Sequence, residues 1–239
     1  MKIALLGYGK MGKEIEKIAL HRKHSIVLKI DINNQNEFTD GILKKADVAI
    51  DFSIPESAYS NIMKCFEANI PVVCGTTGWL DRFDEVVTYC EKNKKSFFYA
   101  SNYSIGVNIL FDINCKLARL MNRYTDYNVS IEEIHHVHKL DAPSGTAISL
   151  AQDIISELDR KDHWELNQES GTNAIAIQSV REGEIPGIHT IKYDSPIDSV
   201  EIRHAAKNRK GLALGAVLAA EFIQNKTGFF SMKNLMYAE

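Results

Sequence analysis

The sequence predicts an α/β protein in which a parallel sheet covered by helices is followed by a smaller domain of mixed α/β character. Three observations support this fold class. Short apolar strands alternate with amphipathic helices through the first hundred residues, a glycine-rich turn joins the first strand to the first helix, and later strands follow one another through polar turns. The 239 residues are enough for one large domain or two modest ones.

The first part of the chain contains five predicted strands separated by helices. Each strand is a short apolar run, and each helix repeats apolar residues three and four positions apart. The strands are expected at 3–6, 25–31, 47–52, 71–74 and 96–100, and the helices at 10–22, 55–68 and 80–93. Because parallel strands are joined by crossovers that are usually helical, this order predicts a parallel sheet with helices on its faces.

The pattern changes after residue 103, where a long helix over 105–123 is predicted. The remaining elements are a strand at 128–139, a helix at 145–158, strands at 174–181, 187–193 and 197–204, and a helix at 212–224. The last helix is rich in Ala and Leu, so it needs a packing partner, which we expect in the first domain. The predicted domains are therefore 1–103 with 206–239, and 104–205.

Composition limits the classes of protein to consider. With 45% hydrophobic and 25% charged residues the chain is typical of soluble globular proteins, and a net charge of -3 gives no global attraction for nucleic acid. The four cysteines form no Cys-x-x-Cys pair, which favours reduced thiols. No apolar run is long enough for a signal peptide or a membrane span, so we expect a cytoplasmic protein.

A nucleotide-binding fingerprint, Gly7-Tyr8-Gly9-Lys10-Met11-Gly12, follows the first strand and opens the first helix. Glycines permit the tight turn and let the backbone approach a pyrophosphate at the helix N-terminus. Asp31, 19 residues beyond Gly12, ends the second strand, where an acid binds the ribose hydroxyls. A glycine turn with a surface Asp is the weaker alternative. Ile32 places no cation next to Asp31 in the sequence, which favours NADH over NADPH.

Two further loops are candidate cofactor contacts. Gly75-Thr76-Thr77-Gly78 follows the fourth strand, and Ala100-Ser101-Asn102-Tyr103 follows the fifth. Loops at the carboxyl ends of parallel strands face the cofactor crevice. A plain strand-to-helix connection explains the first loop about as well on spacing alone, and a domain hinge is the alternative for the second.

The most informative segment lies between Glu133 and Thr146. Three histidines and a lysine occupy five positions, and after a turn Ser144-Gly145-Thr146 opens a helix. If the strand continued through the cluster, alternation would place His135 and Lys139 on one face. The other face would carry His136 and His138.

Both ends of this segment have competing interpretations. The backbone N–H groups and hydroxyls of Ser144-Gly145-Thr146 can hold a carboxylate, although Ser144 alone would be an ordinary helix cap. His-x-His is also common metal-ligand spacing, but Lys139 would repel a cation. We therefore expect no metal, and favour a site for a small anion that also supplies protons.

Together these residues resemble the 4-hydroxy-tetrahydrodipicolinate reductase family, also called dihydrodipicolinate reductase. The Glu133-to-Thr146 signature carries most of the resemblance, and Val180-Arg181-Glu182-Gly183 with Pro186-Gly187-x-His189 also fits. The resemblance implies a Rossmann domain, a smaller mixed α/β substrate and tetramerisation domain, and a homotetramer. It further implies reduction of a cyclic dicarboxylate with NADH or NADPH in diaminopimelate and lysine biosynthesis. Ile32 and Ile54 stand where many members have arginine, which again favours NADH.

Carried onto this sequence, the resemblance makes His135 and Lys139 catalytic. The implied substrate contacts are His136, Ser144, Gly145 and Thr146. The implied cofactor contacts are Gly7, Tyr8, Gly9, Lys10, Met11, Gly12, Asp31, Gly75, Thr76, Thr77, Ala100, Ser101, Asn102 and Tyr103. Another two-domain dehydrogenase, acting on aspartate or a semialdehyde, would not need the histidine segment. A dinucleotide sensor would need neither His135 nor Lys139.

Overall fold

A computed structural model describes residues 1–167, 173–208 and 210–238 of the chain. The chain forms two compact units, one from Met1–Ile105 with Lys210–Glu239 and the other from Gly106–Arg209. Each unit has its own sheet and its own hydrophobic core.

The first unit is built on six parallel strands. In chain order these strands are β1 (Lys2–Leu6), β2 (Ser25–Ile30), β3 (Val48–Asp51), β4 (Val72–Cys74), β5 (Ser96–Tyr99) and β11 (Gly228–Phe230). Its helices are α1 (Lys10–His21), α2 (Asp40–Leu43), α3 (Pro55–Glu67), α4 (Phe83–Lys92), α7 (Lys210–Ile223) and α8 (Met232–Met236). The strand order β11-β5-β4-β3-β1-β2 brings the C-terminal strand to one edge.

Alternate residues of the strands enter two different cores. Ile3 and Leu5 of β1 pack in one core with apolar residues of α1 and α7, whereas Ala4 and Leu6 pack in the other with residues of α3 and α4. Because strand side chains alternate between faces, each face of the sheet buries an apolar layer under its helices.

The second unit holds a five-stranded mixed sheet. Its elements are α5 (Ile105–Met121), β6 (Asn128–His135), α6 (Gly145–Glu157), β7 (His163–Leu166), β8 (Ala174–Arg181), β9 (Ile188–Asp194) and β10 (Ser199–Ala205). The strand order is β10-β9-β6-β8-β7, with β6, β7 and β8 parallel and β9 antiparallel to β6 and β10.

The two faces of this second sheet differ. One face packs against α5 and α6 around Leu110, Leu150 and Ile131. On the other face lies a cavity of about 740 Å³ whose lining includes Lys192 and Arg203 among other polar side chains. The alternation of buried and exposed residues along β6 and β9 produces this difference.

The predicted fold class is confirmed, since a helix-covered parallel sheet is joined to a second, mixed sheet. Sequence patterns did not reveal α2, β7, β11 or α8, which are three to five residues long and carry little periodicity. The predicted helix at 80–93 begins with a 3₁₀ turn over Leu80–Arg82. Among the described residues, no helix combines the length and the apolar character needed to cross a bilayer.

Candidate active site

The fingerprint loop of the first unit has the geometry of a phosphate cradle. Gly7 has φ +92°, and a Cβ there would lie 2.1 Å from the carbonyl oxygen of Phe52, so only glycine fits. Gly9 caps α1 without a side-chain hydrogen bond, and a Cβ on it would meet nothing within 4 Å. The first N–H groups of α1 therefore face open space where an anion can approach.

A cavity of about 710 Å³ lies beside this loop. Its lining includes Gly7, Gly9, Asp31, Ile32 and Ile54, and the side chains of Ile32 and Ile54 are 82% and 55% exposed. Asp31 Oδ1 accepts a hydrogen bond of 2.7 Å from the Asn33 amide. The cavity has the size and polarity pattern of a nucleotide site.

A cation also lines this cavity, although none is next to Asp31 in the sequence. Lys64, on α3, donates to the carbonyl oxygen of Phe38 and lies 4.2 Å from the centre of the Phe38 ring. The sequence did not predict that Lys64 lines the same cavity as Asp31, because only the fold brings α3 and the end of β2 together.

The Gly75–Thr77 loop is anchored by a buried acid that sequence analysis did not identify. The hydroxyl of Thr76 donates to Asp51 at 2.5 Å, and Asn61 donates to the same carboxylate at 2.7 Å. Burial raises the pKa of Asp51, although these hydrogen bonds oppose the rise. The Thr76 hydroxyl therefore serves the fold, whereas Thr77 is exposed.

The loop after β5 is also partly structural. Tyr103 is buried, and its hydroxyl donates to the carbonyl oxygen of Cys74 at 2.7 Å. Asn102 Oδ1 accepts from the Ser104 amide at 2.9 Å, while Ser101 is exposed. Nucleotide contacts by this loop stay a prediction, and the Tyr103 hydroxyl is already engaged within the protein.

In the second unit, the expected strand through the histidine cluster is wrong beyond His135. The β6 strand ends at His135, which pairs with Arg181 of β8. The Lys139 amide then donates to the His136 carbonyl at 3.1 Å, closing a turn. Because residues 136–139 leave the ladder, the predicted division of the cluster between two strand faces does not apply.

The side chains of Lys139, His138 and His136 have separate surroundings. Lys139 Nζ lies 2.7 and 2.8 Å from the two oxygens of Asp141, and this hydrogen bonding lowers the pKa of Asp141. His138 is on the surface, 3.0 Å from Glu184. His136 is half-buried and its ring centre is 6.0 Å from that of His138.

Ser144 is the N-cap of α6, as one of the two interpretations predicted. Its hydroxyl oxygen accepts from the Ala147 amide at 3.2 Å. The same oxygen lies 3.2 Å from His189 Nε2, and the Ser144 amide donates to Glu133 at 3.0 Å. Gly145 is exposed and Thr146 half-buried in the first turn of α6. Binding of an anion by this helix start stays a prediction.

Glu133 is the buried centre of this arrangement and was missed as a site residue. Its Oε1 accepts from the Ser144 amide, from Ser179 Oγ at 2.7 Å and from Arg181 at 3.2 Å. Its Oε2 lies 3.3 Å from His135 Nδ1. Burial alone would raise the pKa of Glu133, but the contacts with His135, Ser144 and Ser179 outweigh it and hold this pKa well below its usual range.

His189 on β9 also belongs to the cluster. Its ring centre is 5.1 Å from that of His135 in an edge-to-face arrangement. Burial and the neighbouring His135 lower the pKa of His189 to about 4, so it is neutral at pH 7. The sequence signal was the Gly187-x-His189 pattern on an alternating strand, which identified the family but gave His189 no role.

Three of these residues offer ligand atoms close enough to share a metal ion. The atoms belong to Glu133, His135 and His189 and lie within 4.8 Å of one another. Arg181 and the Ser144 amide already balance the carboxylate charge, so we assign no metal to the cluster. The described geometry places His135 beside Glu133 and His189 near the start of α6, with Lys139 in the turn that follows β6.

Comparison with known proteins covers nearly the whole chain. Sequence models of the N-terminus and C-terminus of dihydrodipicolinate reductase match residues 1–103 and 106–236. The 4-hydroxy-tetrahydrodipicolinate reductase of Christiangramia forsetii is 50% identical over 236 residues, or 99% of this chain and 98% of that protein. The enzyme of that name from Neisseria meningitidis serogroup B is 34% identical over 228 residues, covering 92% and 83%.

A solved structure is similar over both units. Dipicolinate-bound dihydrodipicolinate reductase from Paenisporosarcina sp. TG-14 aligns with a TM-score of 0.77, covering 97% of each chain. The two sequences are 24% identical, so this likeness concerns the fold.

Proposed function

The chain belongs to the dihydrodipicolinate reductase family, and we propose that it reduces 4-hydroxy-tetrahydrodipicolinate to tetrahydrodipicolinate with NAD(P)H. It is an oxidoreductase of diaminopimelate and lysine biosynthesis. The observation that carries the proposal is the histidine segment before α6, in which His135 ends β6, Lys139 lies in the turn that follows, and Ser144-Gly145-Thr146 begins the helix. These groups match a substrate with two carboxylates.

The first unit provides the cofactor site. The open N-terminus of α1 suits the pyrophosphate, and Asp31 in the adjoining cavity suits the ribose hydroxyls. When bound, NAD(P)H supplies the hydride for the reduction. NADH is the preferred form, because exposed Ile32 and Ile54 offer no charge to a 2′-phosphate and Asp31 repels it. Lys64, which also lines the cavity, is engaged by the carbonyl and ring of Phe38.

The second unit provides the substrate site. Loss of water from the hydroxylated ring gives a conjugated carbon–nitrogen system, and its reduction requires one proton in addition to the hydride. Either His135 or Lys139 supplies this proton. His136 and the Ser144-Gly145-Thr146 helix start bind the substrate carboxylates through charge and N–H donors.

The proposal extends to the domain roles, the assembly and the location of the protein. Residues 1–103 with 206–239 bind the dinucleotide, and 104–205 bind substrate and assemble the chain into a homotetramer. The polar face of the second sheet, with Lys192 and Arg203, is the surface that suits assembly. A reducing cytoplasm suits the four cysteines, all of which are free thiols.

The test is reduction of the product of dihydrodipicolinate synthase by the purified protein, with NADH and NADPH compared side by side. We expect turnover with both cofactors and a higher kcat/KM for NADH. Aspartate and aspartate semialdehyde serve as control substrates. Turnover of either control, with none of the cyclic dicarboxylate, would contradict the proposed function.

A substitution at Ile32 tests the cofactor preference. Ile32→Arg should raise kcat/KM for NADPH relative to NADH, because it adds a positive charge where the 2′-phosphate would lie. Ile54→Leu is the matched control, since it changes the shape of the same cavity without changing its charge. A wild-type preference for NADPH would refute the NADH assignment but would not contradict the proposed reaction.

A further inference from the structure

We propose that Glu133 is a positioning residue for His135, holding the imidazole with its hydrogen on Nδ1 and leaving Nε2 for proton transfer. The inference rests on the proposed function and adds a residue to its mechanism. It stands on the geometry of a buried carboxylate between the histidine and the start of α6.

One oxygen of Glu133 is fixed by donors. Oε1 accepts hydrogen bonds from the Ser144 amide at 3.0 Å, from Ser179 Oγ at 2.7 Å and from Arg181 at 3.2 Å. Glu133 is 0% exposed, so water does not compete for this oxygen. With Oε1 held from three directions, the carboxylate cannot rotate, and the direction of Oε2 is determined as well.

The second oxygen faces the histidine. Oε2 lies 3.3 Å from His135 Nδ1, within ion-pair distance, and neither atom has a hydrogen-bond partner elsewhere in the described residues. An ionised carboxylate only accepts hydrogen bonds. The neutral imidazole is therefore more stable with its hydrogen on Nδ1, and its lone pair is then on Nε2. Nε2 takes up a proton from solvent, and the resulting imidazolium, stabilised by the Glu133 carboxylate, transfers that proton to the substrate and returns to the neutral form.

His189 is the other candidate partner of Oε2, and the distances decide against it. Its Nε2 is 3.8 Å from Oε2 but only 3.2 Å from Ser144 Oγ. Burial keeps His189 uncharged at neutral pH. The remaining cations near the cluster, Arg181 and Lys139, are held by Glu133 Oε1 and by Asp141.

The opposite side of the His135 ring is kept clear by a glycine. Gly187 has φ +154°, and a Cβ on it would lie 3.0 Å from His135 Nε2. A side chain at this position would press on the nitrogen that the proposal assigns to proton transfer. The His135 ring therefore has the Glu133 carboxylate beside Nδ1 and the backbone of Gly187 beside Nε2.

Glu133→Gln is the informative substitution, because it keeps the size and removes the charge. The amide oxygen of glutamine should take the place of Oε1, since three donors point there. Its NH₂ group then faces His135 Nδ1 as a donor, which moves the imidazole hydrogen to Nε2. Glu184→Gln is the matched control, because it makes the same change at a carboxylate that is 80% exposed and contacts His138 on the surface.

Two readouts separate positioning from a structural role. For Glu133→Gln we expect kcat to fall about 10²-fold or more, the scale of a lost general acid–base group. KM for the dicarboxylate and the NADH dissociation constant should change less than about threefold, since the Ser144 amide keeps its acceptor. Glu184→Gln should keep kcat within about threefold.

The tautomer is measured independently of activity. ¹⁵N NMR of the imidazoles, with His135→Asn used for assignment, should show the hydrogen of neutral His135 on Nδ1 in the wild type and on Nε2 in Glu133→Gln. A wild-type hydrogen on Nε2, or unchanged kcat in Glu133→Gln, would overturn the proposal. If Glu133→Gln fails to fold, the wild-type spectrum alone decides. If the wild type lacks reductase activity, the proposed function fails while the spectra still test the positioning.

Discussion

At the scale of single residues, the two predicted catalytic groups each have a carboxylate partner. Lys139 donates a hydrogen bond to Asp141, and His135 lies beside Glu133. The two carboxylates differ, because Glu133 is fully buried whereas the Asp141 side chain is 60% exposed. Buried acids of this kind constrain their partners far more than exposed ones do, so the His135 geometry is the more rigid of the two.

The first prediction concerns the catalytic assignment. His135→Ala and Lys139→Ala should each lower kcat by about 10² to 10⁴, because a positioned proton donor contributes on that scale. NADH binding should be unchanged, since both residues lie in the second unit. Steady-state kinetics and a titration of NADH fluorescence measure the two effects.

The matched control for this prediction is His138→Ala. His138 belongs to the same turn but is exposed and paired with Glu184, so its loss should leave kcat nearly unchanged. Near-normal kcat in both catalytic variants would mean that the segment binds substrate and that water supplies the proton.

The second prediction is a pH dependence of stability arising from His189. Its folded pKa of about 4 lies below the ordinary 6.5, so the unfolded chain binds more protons between these values. Stability should therefore be constant above pH 6.5 and fall as the pH drops toward 4. The His189 contribution between pH 7 and pH 5 is about 2 kcal/mol.

Urea unfolding at pH 7 and pH 5 measures this contribution. His189→Asn cannot titrate, so its loss of stability over that range should be smaller than that of the wild type by about 2 kcal/mol. His138→Asn, at an exposed histidine, is the control and should follow the wild type. Equal losses in His189→Asn and the wild type would show that His189 does not titrate in this way.

At the scale of elements, the C-terminal strand β11 extends the first sheet beyond what the sequence indicated. Its Gly228 amide donates to the Lys95 carbonyl at 2.8 Å, and its pairing with β5 is parallel. Phe229 packs against Phe83 and Phe97, with ring centres 5.5 and 5.7 Å apart. These contacts make the C-terminal residues part of the core of the first unit.

The third prediction tests this element. Phe229→Ala should lower the free energy of unfolding by about 3 kcal/mol, the lower end for loss of a buried aromatic, because Phe229 is only partly buried. Leu20→Ala in α1 is the control, since Leu20 is 53% exposed and should cost well under 1 kcal/mol. Chemical denaturation of both variants gives the comparison. Equal costs for the two would mean that β11 is not packed as described.

At the scale of the whole molecule, the two units have separate cores, and we propose that they carry separate parts of the reaction. The first presents the open α1 terminus and the second presents the histidine cluster. The first sheet is covered by helices on both faces, whereas one face of the second sheet carries polar side chains around a cavity. That polar face is where we expect copies of the chain to meet.

The fourth prediction is the assembly. Light scattering coupled to size exclusion should give about 108 kDa, which is four times the chain mass of 26.9 kDa. Arg203→Glu on the polar face should shift the mass toward dimer or monomer, because it reverses a charge at the proposed contact. Lys45→Glu, an exposed charge reversal in the first unit, should leave the mass unchanged. A wild-type mass of one chain would rule out the tetramer.

The sequence by itself determined the fold class, the family and the order of the principal elements. Apolar periodicity is local, so strands and helices such as β1 and α1 could be recognised from a few neighbouring residues. The glycine fingerprint and the Glu133-to-Thr146 segment are also contiguous. Their chemistry could therefore be predicted before the fold was known.

Only the tertiary structure decided how distant residues complete the sites. Asp51 anchors Thr76 from another strand, Lys64 lines the cofactor cavity from α3, and Glu133 accepts hydrogen bonds from β8 and from the start of α6. The strand through the histidines ends at His135 because the Val137 amide bonds to Gly183 instead of continuing the ladder. Such contacts depend on strand order and burial, which bring together residues far apart in the chain. They produce no periodic pattern in the sequence from which they could be predicted.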